Sequence, residues 1–138
     1  MLIGASEGLS SKNLSNEIKK KYFLNTAASL AYKAVNEMKI LSKKLNGKED
    51  TAYGLAGLGD LYVSSAGGRN SKMGYYLGQG YLFNEAKEKF MQNITIEGAD
   101  LALTIGPKIL REFDKKQFPL LINVIHCICN NHKLEINW

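Results

Sequence analysis

The sequence lacks most of the features that assign a chain quickly. Of its 138 residues only two are cysteine, two are proline and two are histidine. Cys127 and Cys129 stand two apart, so on a helix they point to different faces and cannot readily bridge; they read as buried thiols of a reducing compartment. Together with His126 and His132 they form no CxxC or HxxxH spacing, which argues against a metal site. No apolar run approaches the roughly 18 residues needed to cross a bilayer. The opening residues lack the basic start and apolar centre of a signal peptide. The expectation is a soluble cytoplasmic protein without membrane insertion. Runs of β-branched residues are nearly absent, as are internal repeats and low-complexity segments, so the chain reads as helices throughout.

What is present is enough for one domain spanning residues 1–138, with 45% hydrophobic residues to build a core. Lys and Arg number 18 against 13 Asp and Glu, a net charge of +5. That excess suits an anionic small ligand as well as a nucleic acid. The lysines gather at Lys12, Lys19, Lys20 and Lys21, with no aromatic platform or recognition motif beside them. A nucleic-acid partner is therefore not expected, and the segment reads as a solvated loop or surface helix. Met1 to Leu9 is a short apolar and small-residue opening with no helix cap ahead of it, which looks like the end of a longer unit.

A helical stripe begins at Asn25, a candidate N-cap, and runs through Ala27, Leu30, Ala31, Ala34, Val35, Met38, Leu41 and Leu45 to a stop at Gly47. Those apolar positions are assigned to the core, and Lys33 with Glu37 reads as a surface ion pair. Asp50-Thr51 reads as a cap for a short helix that the following glycines break. Asn84 to Met91 forms a short amphipathic helix capped by Asn84, with Ala86 and Phe90 inward. Glu97-Gly98 falls at an expected turn. Ala99 to Phe113 is helical with Ala102, Ile105, Ile109, Leu110 and Phe113 inward, although Pro107 must kink it or mark a restart. Phe118-Pro119 opens the last helix, which buries Leu121, Val124, Ile125 and Ile128.

The chain is organised around Gly54 to Gly80, which holds eight of the thirteen glycines. Glycine costs roughly 0.5–1 kcal/mol against alanine inside a helix, so such density implies backbone brought close to a ligand or to another segment. The order is GxxGxG rather than GxGxxG, and no strand precedes it, which excludes a dinucleotide-binding loop. Asp60, Ser64, Arg69 and Asn70 surround one small-residue turn. After Gly68 a second helix begins, and Arg69 beside unpaired backbone amides at a helix N-terminus makes a phosphate site.

These residues resemble the carboxyl-terminal domain of NAD(P)-dependent glycerol-3-phosphate dehydrogenases. That family carries GLAGLGDL, here Gly54 to Leu61; a hydroxyl-rich turn ending in RN, here Ser64 to Asn70; and LGQG, here Leu77 to Gly80. Asn25, Glu37-Met38, Glu97-Gly98 and Phe118-Pro119 extend the resemblance over most of the chain. Serine stands at 64 where the family usually has threonine, and residues 10–23 are longer and more basic than the family's connection.

The resemblance implies an all-α fold of the glycerol-3-phosphate / 6-phosphogluconate dehydrogenase type. It implies hydride transfer between sn-glycerol 3-phosphate and NAD or NADP to give dihydroxyacetone phosphate, within glycerophospholipid synthesis. By similarity, Asp60 and Ser64 are catalytic and Asp60, Gly68, Arg69 and Asn70 bind substrate, while Arg69, Thr95 and Glu97 reach the cofactor. The family's nucleotide-binding domain and its catalytic lysine, in a Leu-Lys-Asn motif, lie upstream of the segment resembling Met1 to Leu9, so that domain is the implied partner and the chain alone is expected to be inactive. A stand-alone helical interaction module and a sister dehydrogenase are the competing readings; oligomeric state, including a homodimer, stays open.

Overall fold

The structure is a computed structural model that describes residues 1–11 and 16–136, the side chains of 16–22 excepted. Among the described residues seven α-helices follow one another: α1 (Leu2–Ser11), α2 (Asn16–Lys44), α3 (Asp60–Ser65), α4 (Arg69–Gly78), α5 (Phe83–Phe90), α6 (Glu97–Glu112) and α7 (Pro119–Cys129). A 3₁₀ turn, Glu49–Tyr53, and a π-helical turn, Leu55–Gly59, join α2 to α3. Among the described residues there is no β-strand, and the all-α expectation holds. The lysine-rich run from Lys12 to Lys21 has side chains outside the described set.

The opening segment folds as α1 and lies directly on α4. Its small face of Gly4, Ala5 and Gly8 is buried. Contact is backbone to backbone: a Cβ on Gly4 would strike the Ser71 carbonyl, one on Gly8 that of Tyr75, one on Gly74 that of Met1, and one on Gly78 that of Ala5. Glycines four apart on both helices, Gly4/Gly8 and Gly74/Gly78, form facing flat strips, because residues i and i+4 share a helix face. Ser11 Oγ accepts a bond from Gln79 Nε2 at 3.4 Å, tying the far ends of the two helices.

Behind α4 the core is formed by Met73, Leu77, Phe83, Ala86, Met91, Ile96, Ala99, Ala102, Ile109, Ile125, Cys127 and Ile128. Tyr76 stacks on Phe90 with ring centroids 4.2 Å apart. Lys87 of α5 sends its ammonium forward to the carbonyls of Met91, at 3.0 Å, and Ile94. This closes the end of α5 and shapes the approach to α6.

Several local expectations are corrected. The long helix starts at Asn16, so Asn25 is interior and is not a cap; its carbonyl accepts Ser29 Oγ. Charged, straight-chain residues such as Glu17 and Lys19 to Lys21 are good helix formers that carry the helix past the apolar stripe. At the other end Asn46, with φ 61°, takes the left-handed position. The Gly47 amide bonds Ser42 O at 2.7 Å and the Asn46 amide bonds Lys43 O at 3.0 Å, a Schellman ending with Gly47 one residue beyond the turn. Leu30 and Val35 are buried, but Leu45 is 68% exposed. Asp50-Thr51 lies inside the 3₁₀ turn, where Lys48 is the N-cap and no side chain caps. Glu49 instead holds Lys43 at 2.9 Å and Lys39 at 3.2 Å.

Asn84 is the second residue of α5, and its amide is bound by Asn131 Oδ1 at 3.0 Å. Ala86 is fully buried and Phe90 half-buried. Glu97-Gly98 forms the first two residues of α6 rather than a turn, and α6 runs unbroken past Pro107. The stripe of α6 is Ala99, Ala102, Gly106 and Ile109, with Ile105 40% exposed. Gly106 sets this: a Cβ there would meet Cys129 Sγ and Ile125 Cγ2 at 2.8 Å, so α7 packs on the glycine and turns Ile105 outward. In α7 Leu120, Ile122, Ile125, Cys127 and Ile128 are buried, whereas Leu121 and Val124 are half-buried. Cys127 is sealed and its thiol is pushed up to about 11 by burial; Cys129 is half-buried, and its Sγ meets Ala102 O at 3.2 Å.

The largest correction concerns Glu37. It is no surface partner of Lys33 but is only 7% exposed. Its Oε1 accepts the Leu120 amide at 2.8 Å and its Oε2 the Leu121 amide at 2.9 Å. A carboxylate from α2 thereby caps α7, which has no side-chain cap of its own, and satisfies two orphan donors while meeting the positive end of the helix dipole. Burial raises the Glu37 pKa from its ordinary 4.5, against the lowering effects of the Leu120 and Leu121 amides and the Lys33 charge.

Two stability predictions follow from these contacts. Gly8→Ala presses a methyl into the Tyr75 carbonyl, and neither backbone can yield locally; a loss of about 1–3 kcal/mol is expected in urea unfolding. Glu37→Ala leaves two α7 amides without an acceptor, at about 1–3 kcal/mol. A native pKa above 4.5 means that the folded state binds the proton more tightly than the unfolded chain. The contribution linked to Glu37 ionisation is therefore fully present below 4.5 and lost as pH rises through the native value. Unfolding at pH 7 and at lower pH should show the unmodified chain gaining on Glu37→Gln as pH falls.

Candidate functional site

The π-helical turn Leu55–Gly59 exists because the glycines permit it. Gly57 is buried against Ala52, where a Cβ would lie 2.6 Å from the Ala52 Cα. The turn runs without a break into α3, the Asp60 amide bonding the carbonyls of Gly57 and Leu55, and delivers Asp60, exposed, as the first residue of that helix. One helical turn later Ser64 Oγ donates to Asp60 Oδ2 at 3.5 Å, the outer limit of a hydrogen bond. The acid and the hydroxyl thus share one face of a six-residue helix.

Ala66 and Gly67 then reverse the chain. Gly67 has φ 132°, a conformation only glycine adopts without strain, and a Cβ there would meet nothing within 4 Å. Gly68 is the N-cap of α4 and approaches the Ser64 carbonyl closely, at 3.0 Å from where a Cβ would sit. Arg69 and Asn70 open α4. Their amides and that of Ser71 lie in the first turn, where no helical carbonyl precedes them; the first helical bond runs from the Lys72 amide to Gly68 O at 2.9 Å.

The start of α6 meets the start of α4. Arg69 Nη2 pairs with Glu97 Oε1, the two side chains being 53% and 57% exposed. Beside them Asn70 packs on Gly98 so closely that a Cβ on the glycine would lie 2.6 Å from Asn70 Oδ1. That oxygen is buried and has no hydrogen-bond partner. Two helix N-termini and a guanidinium with further N–H groups beyond its ion pair converge here, and these donors favour bound negative charge, whereas the orphaned Asn70 oxygen is an acceptor and calls for a donor. Thr95 stands exposed two residues before Glu97.

The structure therefore brings Asp60 with Ser64, and Gly68, Arg69 and Asn70 with Glu97. A cavity of about 770 Å³ beside the bend is lined by Ser65, Ala66, Gly67, Ser71 and Lys72 together with α1 and α2, rather than by Asp60 or Arg69. A second hollow of about 570 Å³ lies over the π turn and is lined by Tyr53, Gly54, Leu55, Leu58, Gly59 and Tyr62. Sequence reasoning missed this apolar neighbourhood of Asp60. Its signal was the run of large residues between the glycines of Gly54 to Leu61. Among the described residues, no three His, Cys, Asp or Glu side chains gather to hold a metal ion, and His126 stacks on His132 with ring centroids 5.8 Å apart. No described helix is long and apolar enough to cross a membrane.

Comparison with known proteins adds to this geometry. Residues 15–136 match the family model described as NAD-dependent glycerol-3-phosphate dehydrogenase C-terminus. The NADP(+)-dependent glycerol-3-phosphate dehydrogenase of Archaeoglobus fulgidus is 43% identical over 65 residues, 47% of this chain and 19% of that protein. The glycerol-3-phosphate dehydrogenase [NAD(P)+] of Chlamydia pneumoniae is 38% identical over 103 residues, covering 73% of this chain and 27% of its own length. The enzyme of that name from Agathobacter rectalis is 39% identical over 87 residues, 61% of this chain and 26% of its own. The chain thus spans about a fifth to a quarter of these relatives. No solved structure matches.

Gly98→Ala tests the corner. Its obstacle is the end of a flexible side chain, so stability should change by less than about 1 kcal/mol, within the range of a helix-propensity gain. The Asn70 side-chain amide resonances should nevertheless shift in a ¹⁵N–¹H spectrum; unchanged resonances would mean that the two helix starts are not in contact.

Proposed function

We propose a function from one premise: the chain belongs to the NAD-dependent glycerol-3-phosphate dehydrogenase C-terminus family. It is the helical substrate-binding portion of an enzyme that oxidises sn-glycerol 3-phosphate reversibly to dihydroxyacetone phosphate. That activity supplies glycerophospholipid synthesis in the cytoplasm. The observation that carries this reading is the convergence of the α4 and α6 starts, where Arg69 pairs with Glu97 and keeps further N–H groups free to donate.

At the reacting end Asp60 orients the base, which by family resemblance is a lysine outside these 138 residues. Ser64 supplies a hydroxyl beside it. An acid next to a lysine favours the lysine's charged form, so Asp60 both positions that group and tunes its proton affinity. Gly68, Arg69 and Asn70 hold the substrate phosphate: Gly68 gives the close approach, the guanidinium a charge-assisted bond and Asn70 an amide donor. Anchoring the phosphate is remote binding energy used to place C2.

NAD or NADP, when bound, accepts the hydride leaving C2. The residues at the corner fit a share in holding it. Arg69 retains N–H groups beyond its bond to Glu97, and Thr95 and Glu97 offer a hydroxyl and a carboxylate to a ribose or amide. Most of the cofactor's contacts belong to the nucleotide-binding domain that is this chain's proposed partner.

The isolated 138-residue chain is expected to show no turnover of glycerol 3-phosphate with either nucleotide. Joined to a nucleotide-binding portion of the family it should turn over. In that assembly Arg69→Ala should raise KM for glycerol 3-phosphate about ten- to a hundredfold, the scale of a lost charge-assisted bond. Turnover by the chain alone, or a KM that stays put, would refute the assignment.

A further inference from the structure

Between α2 and the turn that leads into α7 lies a hollow of about 660 Å³, inside the range of about 300–1,000 Å³ usual for small-molecule sites. One wall is a single face of α2, on which Ala28, Tyr32, Asn36 and Ile40 recur every four residues with Lys33 beside them. The other wall is Lys116, Gln117 and Pro119. Asp114 fixes the backbone of that second wall: its Oδ1 accepts the Lys116 amide at 2.9 Å, and its carbonyl accepts the amides of Gln117 at 3.0 Å and Phe118 at 3.1 Å. Glu37, the one acid lining the hollow, clamps the walls together by accepting the Leu120 and Leu121 amides with its two oxygens. The cavity is therefore preformed, and a ligand entering it bears little ordering cost.

The groups that face this hollow suit an anion carrying a flat ring. Ion pairs among the described residues engage Lys39, Lys43 and Arg69, which leaves the ammoniums of Lys33 and Lys116 for a ligand. Tyr32 is 74% exposed, so its ring is open to stacking. Asn36 and Gln117 each carry a donor and an acceptor, the pair of functions that a base edge presents. Ala28, Ile40 and Pro119 add apolar surface beneath. Neither neighbouring hollow has this set. The 770 Å³ cavity sets Glu7 against Lys72, and the hollow of about 200 Å³ behind Glu37 is otherwise lined by apolar side chains. We propose that the α2–α7 hollow binds a nucleoside phosphate, with the phosphate at Lys33 and Lys116, the base on Tyr32 and its edge at Asn36 and Gln117. None of Asp60, Ser64, Arg69, Asn70 or Glu97 lines it, so this is a second site, independent of the dehydrogenase reading.

Titrating ADP into the ¹⁵N-labelled 138-residue chain tests this. The side-chain amide resonances of Asn36 and Gln117 and the backbone amide of Tyr32 should shift and saturate below about 10 mM, while the Asn70 side-chain amide stays put. Adenosine and inorganic pyrophosphate each carry half of the recognised chemistry, and each should bind about tenfold or more weakly than ADP. Lys116→Glu should weaken ADP binding about tenfold or more, the scale of a lost charge-assisted bond. Tyr32→Ala should weaken it about five- to a hundredfold, the scale of a lost stacking partner. Both side chains are exposed, so neither change should alter the helix content or the melting temperature, which are measured as the check on folding. Resonances of Asn36 and Gln117 that stay fixed up to about 10 mM ADP overturn the proposal. So does pyrophosphate that binds as tightly as ADP, since the hollow then offers two lysines and nothing more. A response confined to Asn70 overturns it as well, by placing the nucleotide at the α4–α6 corner, and so does ADP affinity unchanged in both folded variants.

Discussion

Everything in this molecule is referred to the closeness of α1 and α4. Two helices whose facing residues are Gly4, Ala5 and Gly8 on one side and Ser71, Gly74 and Gly78 on the other approach until carbonyls occupy the space that side chains normally take. Dispersion falls off steeply with distance, so two smooth backbones in contact gain over their whole shared length. They also lose less side-chain entropy than larger residues would. With α4 fixed in this way, its first turn is fixed too, and that turn is where Arg69 and Asn70 stand. The buried face of α4, Met73 and Leu77, carries the same constraint through the core to α6, which brings Glu97 and Gly98 to the corner.

The site is therefore a by-product of packing on one side and of conformational freedom on the other. Gly67 turns the chain and Gly68 lets α4 begin against the Ser64 carbonyl. Between them they join the Asp60–Ser64 pair on α3 to Arg69 and Asn70 at the start of α4. The half-exposed ion pair of Arg69 and Glu97 contributes little to stability, as ion pairs in solvent generally do. Its value is geometric, since it holds a guanidinium whose remaining donors stay available.

Much of this was legible in the sequence, and the exceptions share a cause. The all-helical class, the start of α4 at Arg69 and the importance of Gly54 to Gly80 follow from local signals: periodicity, a glycine N-cap and residue density. The GxxxG spacing of Gly4/Gly8 and Gly74/Gly78 was equally visible, but its meaning depends on two distant helices being partners, which periodicity cannot pair. Glu37 shows the same limit. Four residues from Lys33 it looks like a surface charge, and only the arrival of α7, eighty-three residues later, turns it into a buried cap. Asn25 and Asn84 failed as caps because polar residues with good helix propensity preceded one and a tertiary acceptor, Asn131, took the amide of the other. Local chemistry proposes a terminus; long-range contacts decide it.

The carboxylate of Glu37 has one more implication, for the order of events during synthesis. While α2 emerges from a ribosome the Leu120 and Leu121 amides do not yet exist, so the half-apolar surface around Leu30, Val35 and Met38 waits with an ungripped charge at its centre. Only when residues 119–129 have been made can α7 settle across α2. Until then the groove on α2 stays unfinished, and a stop codon just before Leu120 would leave it open for good.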